Sequence, residues 1–549
     1  MGVRQSPAIA RTIGQRGLSG GAVRLLMAMN RHRLKLGGTL AALAALAIAA
    51  SQPEPVADPP QNFQTVPDRD FAELPLERVD MLYARLLQSL VPSEGETIYQ
   101  AYQTGQPIVR YVFARGSSRA QLAILEQTAS FLAGLPRYAD LPGRSLLDPL
   151  ARGLEGQGGR AAKIGEAIAQ RGASFDGLPL PTRAELDDYR TFPMRQGERL
   201  AITSGNAQQF GYLLAEITRL AADKTPPPGG ERAWRSALRR IHDFAAHDTL
   251  RFYWLEMPGW HWAGAYPNVR ARTLAKLAGE PKLTPRRFFR AFIDYDLHLF
   301  AIAADLVAAE RAAPWLIDDP ADRAAVIDAH AIGLRVLKER IDRGPGGQGF
   351  GFDRGYWRDN PVAAYASCTD PRPPAAECRW AEYVSDISHA QRWPSWLESF
   401  AAADDGKDAA LIAHWQAGLA RSLAEKVLSK DAAGRPLMRN FMDGHDGWYL
   451  FTGTQPGGSG SRPSSLTGWA MRYGAWAQLA PLDGRIAEAH RRFCAVIASR
   501  DAADIAFRTR NYGAPGADPA NGFMSTKDEY GPDSYYVLPC RIGAAMKLY

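Results

Sequence analysis

Ionisable and aromatic residues crowd one short stretch of the chain, Tyr383-Val384-Ser385-Asp386-Ile387-Ser388-His389-Ala390-Gln391-Arg392-Trp393-Pro394, with Arg379, Trp380 and Glu382 just ahead of it. Histidine titrates nearest neutrality, so it is the natural proton carrier, and a carboxylate beside it fixes its tautomer and raises its basicity. Read as a helix, Glu382, Asp386 and His389 share one face. Pro394 limits that helix and disfavours α geometry at Trp393, which puts the group near a helix end where side chains reach a cleft. Arg392 would hold an anionic group of a substrate. A histidine satisfied by Asp386 and an arginine in a plain ion pair account for the same residues.

A second group, Arg439-Asn440-Phe441-Met442-Asp443-Gly444-His445-Asp446-Gly447-Trp448-Tyr449, runs into the Gly- and Ser-rich TGTQPGGSGSRPSS. Its carboxylates, His445 and Tyr449 offer acid and base, although Asp-Gly pairs are also what a surface turn uses. Trp254, Trp260, His261, Trp262, Tyr266, Asn268 and Arg270 form an aromatic cluster with flanking polar groups. Such rings stack on the apolar faces of sugars or simply fill a core. Near the C-terminus, Lys527-Asp528-Glu529-Tyr530 and Asp533 to Tyr536 read as a lid or a solvated turn. Other templates fail: there is no Gly-x-Gly-x-x-Gly after an expected strand, no phosphate-loop lysine motif, no His-Glu-x-x-His and no Gly-x-Ser-x-Gly elbow.

The elements that must position these groups are helical. From about Phe71 onward, apolar residues recur at helical spacing between Gly- and Pro-rich loops, and strand signals are sparse. Helices are expected at 77–90, 118–135, 161–170, 207–222, 231–255, 284–312, 321–342, 395–403, 409–429, 464–480 and 484–498. No repeating consensus emerges, which argues against a solenoid. The long loops at 343–394 and 431–463 suit a closed helical toroid whose loops build a cleft. The fold class expected is therefore all-α, an (α/α) toroid or incomplete barrel of helical hairpins; a bundle with inserted loops is the plainer alternative.

The 549 residues carry a formal charge of +7, and the excess sits at the front. Residues 1 to 49 hold Arg4, Arg11, Arg16, Arg24, Arg31, Arg33 and Lys35 and no acid; without these seven the 65 basic residues fall to 58, equal to the 58 acidic ones. A general nucleic-acid surface is not indicated. Arg31, Arg33 and Lys35 precede the apolar run Leu36 to Ala50, which closes on the A-x-A pattern Ala47-Ile48-Ala49 and is too short to span a bilayer. Residues 1–50 read as a cleaved signal peptide, 51–70 as a proline-rich linker and 71–549 as one helical catalytic domain, secreted or periplasmic and not stably membrane-inserted. An oxidising compartment favours cysteine pairing, Cys368 with Cys378 and Cys494 with Cys540.

The signal, the helical hairpins from about 70 to 500 and the stretch Ser385–Arg392 (SDISHAQR) together resemble exported bacterial carbohydrate-active enzymes of the (α/α) toroid type, the alginate-lyase-like polysaccharide lyases and six-hairpin glycosidases. In place of the Asn-Asn-His-x-Tyr-Trp signature of the alginate lyases stands Ser204-Gly205-Asn206-Ala207-Gln208-Gln209-Phe210. The resemblance implies a polysaccharide or oligosaccharide substrate and no cofactor or metal. Elimination at a uronate needs a base, an acid and a neutraliser of the carboxylate. His389 or Tyr383 would be base, oriented by Asp386, and Tyr449 acid; Arg392 with Asn206 or His445 would neutralise. Trp260, His261, Trp262, Tyr266, Arg270, Trp393, Trp448, Glu529 and Tyr530 would bind the glycan. Two other readings remain: a glycoside hydrolase drawing on Glu382, Asp386, Asp443, Asp446 and Glu529, and a glycan-binding protein without catalysis. Residues near 206, 260–270, 383–392, 443–449 and 529–536 are expected to line one cleft.

Overall fold

The run from Asp294 to Ala312, DYDLHLFAIAADLVAAERA, is apolar on nearly every side, and a helix of that kind is buried among others. A computed structural model of the protein places it so. The structure describes residues 76–89, 99–133, 174–175, 178–179, 191–193, 201–256, 268–279, 292–342, 347, 349–352, 385–447, 462–512 and 537–549. Of the described region 75% is helical and the strands are short, so the described region is all-α.

In chain order come α1 (Leu76–Ser89), α2 (Tyr99–Arg115) and α3 (Ser118–Ala133). Two small antiparallel pairs follow, β1 (Ser174–Phe175) with β2 (Leu178–Pro179) and β3 (Thr191–Pro193) with β4 (Ala201–Thr203). Then run α4 (Ser204–Ala222), α5 (Glu231–Asp243) extended by a π-helical stretch Phe244–Glu256, α6 (Val269–Ala278), α7 (Asp294–Ala312) and α8 (Pro320–Arg340). β5 (Ile341–Asp342) pairs with β6 (Gly351–Phe352). The single turn α9 (Ile387–Ala390) leads into α10 (Trp393–Ala403) and α11 (Ala409–Ser422). β7 (Leu428–Lys430) pairs with β8 (Pro436–Met438), and α12 (Thr467–Met471), a 3₁₀ stretch Ala475–Leu482, α13 (Gly484–Ala498), α14 (Ala502–Asn511) and α15 (Val537–Ala545) complete the order.

Helix α7 is the hub, packed against α4, α8 and α10, while α2 packs on α4 and α3 on α5. Its side chains from Asp296 to Ala304 are all buried, charged ones included. Each of those charges is met from a different neighbour. Arg272 and Lys276 of α6 hold Asp296 at 2.6 and 2.8 Å, Arg219 of α4 holds Asp305 at 2.6 Å, and His242 of α5 meets Glu310 at 3.1 Å. Close approach needs small residues: a Cβ on Gly333 of α8 would sit 2.6 Å from Cβ of Phe300 on α7. Among the described residues no helix is long and apolar enough to cross a membrane.

Several boundaries differ from those the periodicity suggests. Helix α2 is not among the expected helices; it carries Pro107 inside it, and Gly105 lets α2 approach Leu213 of α4. The expected helix 409–429 stops at Ser422, loosens into a π turn over Leu423–Val427 and ends as β7. The expected helix 464–480 breaks at Gly474, which adopts a left-handed φ of 71°. The expected helices over 161–170 and the first residues of 284–312 lie outside the described residues.

Candidate active site

Asp386 organises the site. It does not lie inside a helix, as the shared-face reading assumed, but takes an extended conformation and caps α9, its Oδ1 accepting from the backbone N–H groups of Ser388 and His389 at 3.0 and 3.1 Å. The same carboxylate meets His389 Nδ1, 2.8 Å from Oδ2. The Ser388 hydroxyl donates to Asp386 as well. An N-cap acid with histidine three residues on therefore produces the dyad locally, without the helical register of Glu382, which lies outside the described residues. Asp386 is only 1% exposed, whereas the His389 side chain is 25% exposed.

The far nitrogen of His389, Nε2, is 3.9 Å from Oδ2 of Asp294, the first residue of α7. Asp294 in turn is ion-paired with Nη1 of Arg392. Arg392 is buried and committed to that carboxylate, so it is not the open anion holder expected from the sequence; it stands at the N-cap of α10. Trp393 is also corrected. It is 3% exposed and packs on Phe350, Phe352 and Trp396, so it is core and not a stacking platform. Asp294 was missed as a member of the site. Its signal in the sequence is the ionisable pair in FIDYDLHLF, but Arg392 stands 98 residues away.

Behind Asp294, His298 is fully buried and its Nδ1 donates to the Asp294 carbonyl at 2.7 Å. Burial, with the charge of Arg392 nearby, pulls His298 down to about 3, so it is a neutral packing group edge-on to Trp396.

The loop after β8 adjoins the dyad directly. Asp386 bridges Phe441, Ile387 N donates to Asn440 O at 2.9 Å and Met442 N donates to Ser385 O at 3.0 Å. His445 sits across the turn closed by Gly444 N on Phe441 O, with Gly444 at a φ of 91°. Asp446 is a staple: its Oδ1 accepts from Asn440 N and Ser464 N at 3.1 and 2.8 Å, and buried Asn440 ties Gly447 and Arg462 carbonyls together. Asp386 and Asp446 thus both hold backbone groups in place, while Asp443 accepts from His445 N at 2.9 Å.

Arg270 is placed elsewhere, clamped on Asp328 of α8 through Nε and Nη2 at 2.7 and 2.9 Å, with Trp254 Nε1 on the same carboxylate. Trp254 is fully buried core. Asn206 opens the first turn of α4, and its side chain lies outside the described residues, as do Tyr383, Tyr449, Trp260, His261, Trp262, Tyr266, Trp448, Glu529, Tyr530, Cys368 and Cys378. Cys494 and Cys540 form the expected disulfide.

Comparison with family models, with curated proteins and with solved structures finds no match. The site must be read from its own chemistry.

Among the described residues one grouping has metal-ligand composition, His247, Asp319 and Asp322. Arg251 Nη1 already lies 3.2 and 3.0 Å from the two carboxylates, so a guanidinium supplies the positive charge there. The Asp386–His389 arrangement is different in kind: a buried acid lies behind a partly exposed imidazole. Asp294, paired on one side with Arg392, faces the second nitrogen of His389.

Proposed function

We propose that the chain is an exported enzyme, built as an (α/α) toroid of helical hairpins, that cleaves an acidic polysaccharide by β-elimination. The observation that carries this reading is the Asp386–His389 dyad, with Nδ1 held at 2.8 Å and the His389 side chain 25% exposed. Nδ1–H donates to Asp386, which leaves the lone pair on Nε2 as the base. That nitrogen takes the ring proton beside the uronate carboxylate. The electron pair released forms the ring double bond, the glycosidic C–O bond breaks, and an acid protonates the departing oxygen. Tyr449 is the acid in this scheme and Tyr383 an alternative base.

Since Arg392 is bound to Asp294, neutralising the uronate falls to His445, on the loop hydrogen-bonded to the dyad, and to Asn206. Export is supported by the basic and apolar front segment and by the Cys494–Cys540 bond, which an oxidising compartment maintains. The substrate is a glycan and not nucleic acid, in keeping with the charge balance beyond residue 49.

The experiment is a panel of acidic and neutral polysaccharides read for ultraviolet absorbance of unsaturated products and for reducing ends. His389→Ala is expected to abolish the absorbance while the far-ultraviolet circular dichroism is kept. Most of the activity surviving in that variant removes His389 from the mechanism. Reducing ends without absorbance mean hydrolysis instead, and an oligosaccharide recovered intact after tight binding means no catalysis.

A further inference from the structure

The disulfide that joins α13 to α15 is buried, with Cys494 and Cys540 only 4% and 3% exposed. Tyr549 lies directly on it. The tyrosine hydroxyl donates to Cys540 O at 2.9 Å, and its oxygen rests 3.4 Å from Cys494 Sγ. The ring stacks on His490 of α13, with centroids 5.7 Å apart and planes 13° from parallel. One side chain thus touches both helices that the bond connects.

The way α15 ends brings Tyr549 there. Leu548 N donates to Gly543 O and Lys547 N to Ala544 O, each at 3.0 Å, and Lys547 takes a left-handed φ of 56°. This pair of bonds reverses a chain at a helix end, usually with glycine in the left-handed place. The reversal lays the ring across Gly543, where a Cβ would stand 2.5 Å from Tyr549 Oη and 2.6 Å from Cε1. Lys547 is exposed, and Met546, Leu548 and Tyr549 are half-buried. A segment held by so few contacts opens locally, without unfolding of the helices beneath it.

Exchange with a thiol requires a thiolate to reach one of the two sulfurs. We propose that residues 546–549 are a latch over the Cys494–Cys540 bond, so that a soluble thiol cuts the bond only while Tyr549 is lifted from Gly543. With the latch up, one thiolate of dithiothreitol attacks a sulfur and expels the other cysteine as a thiolate. The second thiol of the reagent then displaces the remaining protein sulfur, the reagent closes to its cyclic disulfide, and the protein gains two electrons and two protons as a pair of thiols. The bond secures more than its own two helices. Pro539, Ile542, Met546 and Leu548 wall a cavity of about 400 Å³ that also reaches Gln391 and Arg392, which follow His389 in the chain. Gating the bond keeps that wall fixed while thiols are present. None of this depends on glycan cleavage by His389.

The test is the rate at which dithiothreitol reduces the native full chain, read as iodoacetamide-labelled thiols in the mass spectrum over time. Tyr549→Ala removes the cover and Gly543→Ala pushes it aside. Each is expected to speed reduction by at least about tenfold, the order set by the burial of an aromatic ring. Gly543→Ala raises the helix propensity of α15, so faster reduction in that variant reports the lifted ring and not a frayed helix. In the parent the rate is expected to stay flat in urea below the unfolding transition, because a lifting latch exposes little surface. Parent-like rates in either variant overturn the proposal. A parent rate that climbs with urea in step with global unfolding overturns it equally, and this arm decides the matter where a variant does not fold.

Discussion

Replacing Asp296 by Asn tests whether the buried charges of α7 are mutually dependent. Asp296 is 0% exposed and stands between Arg272 and Lys276, themselves 2% and 3% exposed. Burial alone would raise its pKa, but the two cations hold it at about 2 against an ordinary 3.8. That difference corresponds to about 2.4 kcal/mol of stability, present above the ordinary value and lost as pH falls through about 2. Removing the acid also strands two buried cations, for which a loss of about 3–5 kcal/mol is usual. Lys276 adds a second signature. Burial lowers it to about 8 from 10.5, with Asp296 opposing the fall. In Asp296→Asn that opposition disappears, so Lys276 sheds its proton at a still lower pH in the native state while the unfolded chain keeps it. The native state then binds fewer protons, and stability climbs with pH by up to about 1.4 kcal/mol per unit between pH 6 and 8. Lys276 in the unsubstituted protein does this only from about 8 to 10.5. Urea denaturation at pH 6, 7 and 8 measures both effects. A variant within about 1 kcal/mol of the parent at pH 7, with the parent's pH slope, would refute the reasoning.

Three further outcomes follow from other parts of the fold. Cys494 and Cys540 close 46 residues, so Cys540→Ser is expected to cost about 4 kcal/mol on chain-entropy grounds, visible as a lower thermal midpoint that added reductant reproduces in the parent. His490 is held at about 4 by burial, so the native state stays neutral while the unfolded chain takes up a proton below 6.5; stability is lost as pH falls from there towards 4. His490→Phe should remove about 1.4 kcal/mol per pH unit from the slope at pH 5, and equal slopes would contradict neutral burial. A Cβ at Gly468 would overlap the backbone of Tyr512, so Gly468→Ala is expected to lose upwards of ~2 kcal/mol, whereas Gly484→Ala, with open space around it, should change little; equal urea midpoints for the two would count against this packing.

The parts of the fold legible in the sequence are those governed by local rules. The helices 76–89, 231–243 and 484–498 announce themselves by one apolar face, and their ends fall within a residue or so of the expected ones at their start. The dyad was legible for the same reason, since acid and histidine are three residues apart. What escaped is what depends on distant partners. Asp294 in FIDYDLHLF gives no sign that Arg392, 98 positions on, will claim it, nor Trp393 that Phe350 and Trp396 will enclose it. Helix α2, absent from the expected helices, carries Pro107, whose cost inside a helix is a local quantity while its compensation, packing against α4, is not.

The acids along α7 amount to an address system. A helix apolar on every side has no preferred neighbour, since any greasy face fits any other about equally well. Asp294, Asp296, Asp305 and Glu310 break that degeneracy, because each is answered from a different segment, by Arg392, Arg272, Arg219 and His242. A rotation of α7 by one residue, or an exchange of two neighbours, would leave several charges unanswered at once. Reversing a single pair should therefore be better tolerated than reversing a single member, and the hub can drift in sequence only two positions at a time.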